Sequence, residues 1–303
     1  MKAQSGPETS ASLRELHLRG GRHGILLFHG LSSSPLELQF IARGLHRADY
    51  TVKVPVLPGY TYGTFSEAPL RSAQTWVAGA LKACDAMLDE CDTVSIGGLC
   101  LGAVLAARVA ALRSDRLASL LCLSAALHYD GWGNPWYTPL LPLARVTPFA
   151  RRIRVKEREP FGLKDVRMRA WVAKQMRELG ESDAGAASLC VADLLRARDL
   201  IRLTRRSLGD VTVPTLLIHA REDECATPRS AYELASQVSA TCTRVVLLND
   251  SYHMISIDRE KETVLSEMRQ FLSHTQECAR REDALRDRAN VLSLFALRKG
   301  TSE

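Results

Sequence analysis

The stretch Gly97-Gly98-Leu99-Cys100-Leu101-Gly102-Ala103 joins two segments of different character. Before it runs Thr93-Val-Ser-Ile-Gly97, apolar and β-branched. After it Cys100 to Leu112 is rich in alanine and has helical spacing. The join reads G-x-C-x-G. A chain that passes from strand to helix in so tight a turn brings the two backbones close, so the residues two before and two after the centre must lack bulk. The central side chain is then exposed at the start of a helix, where the dipole favours a thiolate.

Strand and helix alternate outward from this turn. Gly24-Ile-Leu-Leu-Phe-His29 is a short apolar run suited to a buried parallel strand. Leu36 to Leu45 has helical spacing, with Pro35 as its first residue behind a serine cap. Tyr50–Pro55, Leu117–Leu123, Val213–His219 and Arg244–Leu248 read as further strands, and Leu57–Gly63 as turn. Ser72–Cys91, Arg229–Val238 and Arg259–Ser273 read as helices. The expectation is an α/β fold with a mostly parallel central sheet and helices on both faces. Residues 13–129 and 210–275 form its core. Residues 130–209 break the alternation, are arginine-rich and mostly helical by pattern, and read as an inserted helical cap. Residues 276–303 form a charged C-terminal tail or last helix.

Composition excludes several classes. The 303 residues are 46% hydrophobic and 24% charged, ordinary globular usage that rules out collagen, coiled coil and wholesale disorder. No apolar run reaches the ~18 residues of a membrane span, and the N-terminus has no apolar stretch of a secretory signal. Eight cysteines without paired short spacings point to reduced thiols in a cytoplasm and to no zinc site. The net charge of +6 is unevenly placed. Arg145 to Arg206 holds 16 basic and 8 acidic residues, a local +8, whereas the remainder holds 24 against 26, or −2. The basic segment lacks the aromatic interleaving or finger spacing of a nucleic-acid reader, and its default reading is a solvated face.

Two more motifs follow Cys100 in chain order. His219-Ala-Arg-Glu-Asp223 closes a strand, and Ser251-Tyr-His253-Met-Ile-Ser-Ile-Asp258 follows the next one. Nucleophile, acid, histidine is the chain order of an α/β-hydrolase triad. Glu222, Glu224 and Asp250 are rivals to Asp223 for the acid. His29-Gly30-Leu31 ends an early strand, so the backbone N–H groups of Leu31 and Leu101 would form the oxyanion hole, with His29 holding the loop. Cys225 reads as bland rather than redox-active. Trp132, Trp136 and Tyr137 would stand at the cap entrance, with pocket lining and core packing evenly matched.

Through Leu26-Leu-Phe-His-Gly-Leu-Ser-Ser-Ser-Pro35, the cysteine elbow, Pro214 to Asp223 and the histidine loop, residues 20–275 resemble the α/β-hydrolase superfamily. They look most like bacterial carboxylesterases and monoacylglycerol lipases with a small helical cap. Those enzymes use serine where this chain has Cys100. Cysteine occurs there in dienelactone hydrolases and polyhydroxyalkanoate synthases of the same fold. The resemblance implies a Cys100–Asp223–His253 triad that cleaves an ester or thioester and needs no metal or organic cofactor. A thiol nucleophile gives a thioester intermediate, which suits acyl transfer and thioester cleavage at least as well as ester hydrolysis. The basic segment would attract an anionic acyl donor, coenzyme A or an acyl carrier protein. A ligand-binding protein with Cys100 idle is the reading from another class.

Overall fold

The computed structural model describes residues 14–64, 72–136, 138, 140, 153–179, 181–182 and 185–299. The first half of the chain forms β1 (Leu16–Leu18), β2 (His23–Phe28), α1 (Gln39–His46), β3 (Thr51–Val54), α2 (Ala73–Glu90), β4 (Thr93–Leu99), α3 (Leu101–Leu112) and β5 (Ser119–Leu123). A connecting segment follows, with β6 (Arg154–Lys156), α4 (Val166–Leu179), β7 (Glu181–Ser182), β8 (Gly185–Ala186), β9 (Ser188–Cys190) and α5 (Val191–Arg205). The chain ends with β10 (Thr215–Ala220), α6 (Arg229–Gln237), β11 (Thr243–Leu248) and α7 (Lys261–Lys299).

Seven strands form one sheet in the order β1-β3-β2-β4-β5-β10-β11. Only β1 runs antiparallel, against β3; the other neighbours pair in parallel. The central strands β2, β4, β5 and β10 are buried almost throughout, which is why they read as unbroken apolar runs. On one face, α2, α3 and α5 bring Trp76, Val104 and Leu200 into a core with Leu26, Ile96 and Leu120. On the other, α1 and α7 bring Ile41, Leu45, Met268 and Phe271 against Ile25, Val52 and Ile218.

The elements lie close to where the sequence places them, with three differences. The segment expected as one helix from Leu36 opens as a 3₁₀ turn, Pro35–Leu38, before α1 begins at Gln39. Ser34 stands at the cap position with extended backbone, but its side chain makes no cap bond. Strand β1 is three residues long, too short to show a period. Helix α7 runs unbroken through Lys299 into the expected tail, because no Gly or Pro occurs between Lys261 and Lys299.

The 130–209 segment is only partly helical, since β6 pairs with β9 and β7 with β8 in two small antiparallel ribbons. Its last helix, α5, packs on α2 and α3 and buries Ala197, Leu200 and Ile201 in the main core. Its early part is tied to the loop after β11. The Asp258 carboxylate, buried, accepts the backbone N–H groups of Lys164 (2.9 Å), Asp165 (2.9 Å) and Tyr252 (2.8 Å).

Around Cys100 the two elbow glycines are required by contact. A Cβ on Gly98 would meet the Gly102 carbonyl and the Phe28 oxygen at 2.5 Å. A Cβ on Gly102 would meet the Phe28 oxygen at 2.1 Å and the His29 oxygen at 2.4 Å. Both neighbours are backbone and cannot swing away. Gly102→Ala is therefore expected to destabilise the fold by about 1–3 kcal/mol. It should lower the thermal midpoint and, by pushing α3 from β2, suppress Cys100 reactivity. A variant with unchanged midpoint and labelling would show that the join is looser than these contacts require.

Candidate active site

Strand β4 ends at Leu99 and α3 begins at Leu101, so Cys100 alone makes the turn, at φ 58°, ψ −121°. For a residue with a Cβ this is the disfavoured left-handed side of φ, a strain of roughly 1–3 kcal/mol that surrounding structure must hold. It is held by a backbone bond on each side: Cys100 N–H donates to the Leu123 oxygen (2.9 Å), and Ala126 N–H donates to the Cys100 oxygen (3.3 Å). The thiol is thereby fixed over the C-terminal ends of the parallel strands, where open α/β sheets form their sites.

The loops after β10 and β11 bring the acid and the histidine. The His253 Nδ1–H meets the Asp223 carboxylate at 2.8 Å to Oδ2 and 3.0 Å to Oδ1. The other ring nitrogen, Nε2, is buried without a hydrogen bond of standard geometry. Its ring interacts with the Cys100 sulfur. Asp223 is itself held by the backbone N–H groups of Cys225 (2.9 Å) and Ala226 (2.8 Å), which donate to Oδ1. His219 Nε2 lies 3.3 Å from Oδ2. The rivals for the acid are engaged elsewhere. Glu222 pairs with Lys164 (3.0 Å), and Asp250 pairs with Arg259 (3.0 Å). Glu224 accepts the backbone N–H of His253 (3.1 Å) and so positions the loop rather than the ring.

Charge settles on these groups in a definite pattern. Burial alone would raise Asp223, but His253 and His219 outweigh it and hold its carboxyl well below the ordinary range. Burial alone would lower His253, but Asp223 and the Cys100 sulfur outweigh it and hold the ring well above the ordinary imidazole value. For Cys100 the largest influence is a hydrogen bond from the Cys225 thiol. Burial opposes it, and His253 and the Leu101 N–H reinforce it, leaving Cys100 well below an ordinary thiol. Cys225 moves the opposite way and is the thiol that keeps its proton. Together these influences favour the charged forms of both Cys100 and His253.

The candidate oxyanion groups flank the same sulfur. Leu101 N–H interacts with Cys100 directly. Gly30 lies so near that a Cβ on it would come within 3.6 Å of the Cys100 Cβ, and the next N–H, of Leu31, has no acceptor among the described residues. His29 holds this loop, as expected of it. Its Nδ1–H donates to the Gly30 oxygen (2.7 Å), its Nε2 accepts from Thr61 Oγ1 (2.9 Å), and burial lowers it to about 4, so it stays neutral. Glu37 was not visible in advance. Its buried carboxyl accepts the Gly30 N–H (3.1 Å), and burial raises it to about 8, so it carries a proton at neutral pH and braces the loop uncharged.

Beside Cys225 opens a cavity of about 160 Å³, walled by Tyr129, Gly133, Asn134, Pro135, Val155, Leu189 and Leu194 among others. Neither Trp132 nor Trp136 is in that wall. Trp132 stacks edge-on over Tyr252 and donates from Nε1 to the Glu222 oxygen (3.3 Å), and Trp136 is 84% exposed. Tyr137 lies outside the described residues. No cluster of metal-ligating side chains occurs among the described residues, and none of their helices is long and apolar enough to cross a membrane.

A parallel sheet with a strained elbow, and with acid and histidine on its last two strand-end loops, is the architecture of the α/β-hydrolases. The chain belongs to the alpha/beta hydrolase family, whose model matches residues 25–266. It is 24% identical over 258 residues to the thermostable monoacylglycerol lipase of Bacillus sp. (strain H-257), covering 85% of this chain and 93% of that protein. It is 20% identical over 256 residues to the carboxylesterase of Bacillus subtilis (strain 168), covering 84% and 94%. Among solved structures it is similar to a metagenome-derived lipolytic enzyme (TM-score 0.74, 24% identity, covering 89% of this chain and 100% of that one). It is also similar to the Paleococcus ferrophilus monoacylglycerol lipase (TM-score 0.67, 19% identity, covering 86% and 98%).

Cys225 generates a sharp expectation. Cys225→Ala removes the neighbouring thiol that lowers Cys100 and should raise the Cys100 pKa. The midpoint of the pH–rate profile for iodoacetamide labelling of Cys100 should move to higher pH, with labelling slowed roughly tenfold per unit of the rise at pH values below the parent midpoint and unchanged at alkaline pH. A superimposable pH–rate profile would show that Cys225 does not act on Cys100.

Proposed function

We propose that this protein is an acyl-transfer enzyme that cleaves a carboxylic ester or thioester through an acyl-cysteine intermediate on Cys100. One observation carries the proposal: the Cys100 sulfur at the elbow adjoins a histidine whose far nitrogen is bound by a buried carboxylate. The relatives named as a monoacylglycerol lipase and a carboxylesterase support ester chemistry.

In this reading the Cys100 thiolate attacks the carbonyl carbon, and the oxyanion is received by the N–H groups of Leu31 and Leu101. His253, already protonated, gives its Nε2 proton to the departing alcohol or thiol as the tetrahedral adduct collapses. Cys100 is left as a thioester and His253 as a neutral base. An incoming water, alcohol, amine or thiol then loses its proton to His253 and attacks the thioester, which restores the ion pair. Asp223 fixes the ring tautomer and stabilises its cation. Hydrolysis is the broad activity. Transfer to a small acceptor is the second reading, favoured by cysteine itself, because a thioester exchanges with a thiol at nearly equal free energy and hands its acyl group readily to amines and alcohols.

Intact mass after brief exposure to an activated ester or thioester should show one acyl adduct, on Cys100. Cys100→Ala and His253→Ala should each lower turnover by orders of magnitude, since the members act as a unit. Asp223→Asn should cost less, because a thiol depends less on a strengthened base. The same donors with added thiols, amines or alcohols would divide transfer from hydrolysis. An active Cys100→Ala variant would overturn the nucleophile assignment, and the absence of both turnover and a Cys100 adduct would support the ligand-binding alternative.

A further inference from the structure

A second cavity of about 470 Å³ adjoins the first and shares Tyr129, Thr138 and Arg198 with it. The smaller one has Cys225, the neighbour of Cys100, in its wall and mixes charges of both signs. The larger has Arg198, Arg202, Arg205 and Arg206 in its wall, and none of its described lining residues is acidic. Arg198, Arg202 and Arg205 are four and three residues apart on α5, hence on one helix face.

These arginines are not equally committed. Arg205 is locked in place: Nε pairs with Glu233 Oε1 (2.6 Å) and an Nη lies against the Leu127 oxygen (3.2 Å). Among the described residues Arg202 pairs with Asp199 on its own helix, at 3.3 Å, and its side chain is largely exposed. Among the described residues Arg198 donates to the Thr138 oxygen alone, at 3.5 Å. The Arg206 guanidinium has no partner among the described residues. Complementing the negative end of α5 explains one or two cations there. It does not explain four arginines in the wall of one cavity. Planar guanidinium forks in that arrangement suit phosphate.

Deepening the acyl-transfer reading, and resting on it, we propose that the arginine cavity binds the phosphate of a phosphorylated thiol carrier whose acyl thioester extends past Tyr129 and Thr138 to Cys100. Arg198, Arg202 and Arg206 hold the phosphate, and Arg205 braces the wall. The exchange balances. Cys100–S⁻ forms a bond to the acyl carbon, the bond from that carbon to the carrier sulfur breaks, and the departing thiolate takes the His253 proton. A thioester formed from a thioester makes the step nearly isoenergetic, so the affinity for phosphate decides which donor is used.

The test compares three thioesters of one acyl group: with coenzyme A, with 4′-phosphopantetheine, and with N-acetylcysteamine, which has no phosphate. Both phosphorylated donors should show kcat/KM at least tenfold above the third, an advantage that falls with added salt. A coenzyme A donor far better than the phosphopantetheine donor assigns the contact to the nucleotide phosphates; equal values assign it to the pantetheine phosphate. The Arg202→Gln/Arg206→Gln double variant, on exposed side chains, should lose that advantage and leave the N-acetylcysteamine donor within about twofold of the parent. Calorimetry with inorganic pyrophosphate reads the pocket without catalysis: the parent should bind and the double variant should not. Equal use of all three donors, or no pyrophosphate binding, overturns the phosphate site. Pyrophosphate binding with no acyl adduct on Cys100 from any donor supports the phosphate site and overturns the nucleophile reading instead.

Discussion

Everything distinctive in this molecule depends on holding one non-glycine residue at φ 58° between a strand and a helix. The tightness of the join dictates glycine at 98 and 102, because the carbonyls of Phe28, His29 and Gly102 occupy the space a methyl group would need. It delivers the Cys100 sulfur to the end of the sheet together with the N–H of Leu101. It brings the β2 exit loop alongside, so that Leu31 offers a second N–H. The sheet order places β10 and β11 on the far side of β5, and their exit loops arrive with Asp223 and His253. The strain at one residue is small beside the cores on either face of the sheet, and those cores hold it.

The second determinant is how charge is stabilised where water is scarce. A thiolate or an imidazolium sheltered from water is costly alone, and here Cys100 and His253 each favour the charged form of the other. Asp223 anchors the pair with two backbone donors on one oxygen. Cys225 follows Asp223 by two residues and stands beside Cys100. Its backbone N–H stabilises the carboxylate, and its thiol is among the groups that lower the Cys100 thiol. Around this charged centre the bracing is neutral: His29 stays unprotonated and Glu37 stays protonated, both through burial. The loop that would receive an oxyanion thus adds no charge that competes with it.

Legibility divided along physical lines. The buried parallel strands were readable because burial on both faces leaves unbroken apolar runs, as in Gly24 to Phe28 and Thr215 to Ala220. The elbow, acid and histidine were readable because their spacing to strand ends is mechanical. Glu37 and Cys225 were not, since Glu37 matters through its burial under the Gly30 N–H and Cys225 through its nearness to Cys100, 125 residues earlier in the chain. A glutamate in an early helical turn reads as a surface charge until the fold buries it. The aromatic side chains near the cap misled for a related reason. Trp132 and Trp136 sit on a turn whose backbone, through Gly133 to Pro135, forms the cavity wall while the indoles face elsewhere. The basic excess was visible as a sum, but Arg151 and Arg152 lie outside the described residues and Arg154 is bound to Ser188 (2.8 Å). The concave cluster is instead on α5, which packs against the body.

The account stands or falls on the ionisation of Cys100 in the resting protein. Ultraviolet absorbance of the thiolate, titrated with pH and taken as the difference between the protein and its Cys100→Ser variant, measures it without substrate or label. The account predicts a thiolate fully formed at neutral pH, its titration midpoint well below the ~8.5 of a free cysteine, and a shift of that midpoint upward when His253 is replaced. A Cys100 signal that appears only near ~8.5, and is indifferent to His253, would contradict the ion pair on which the proposed chemistry rests.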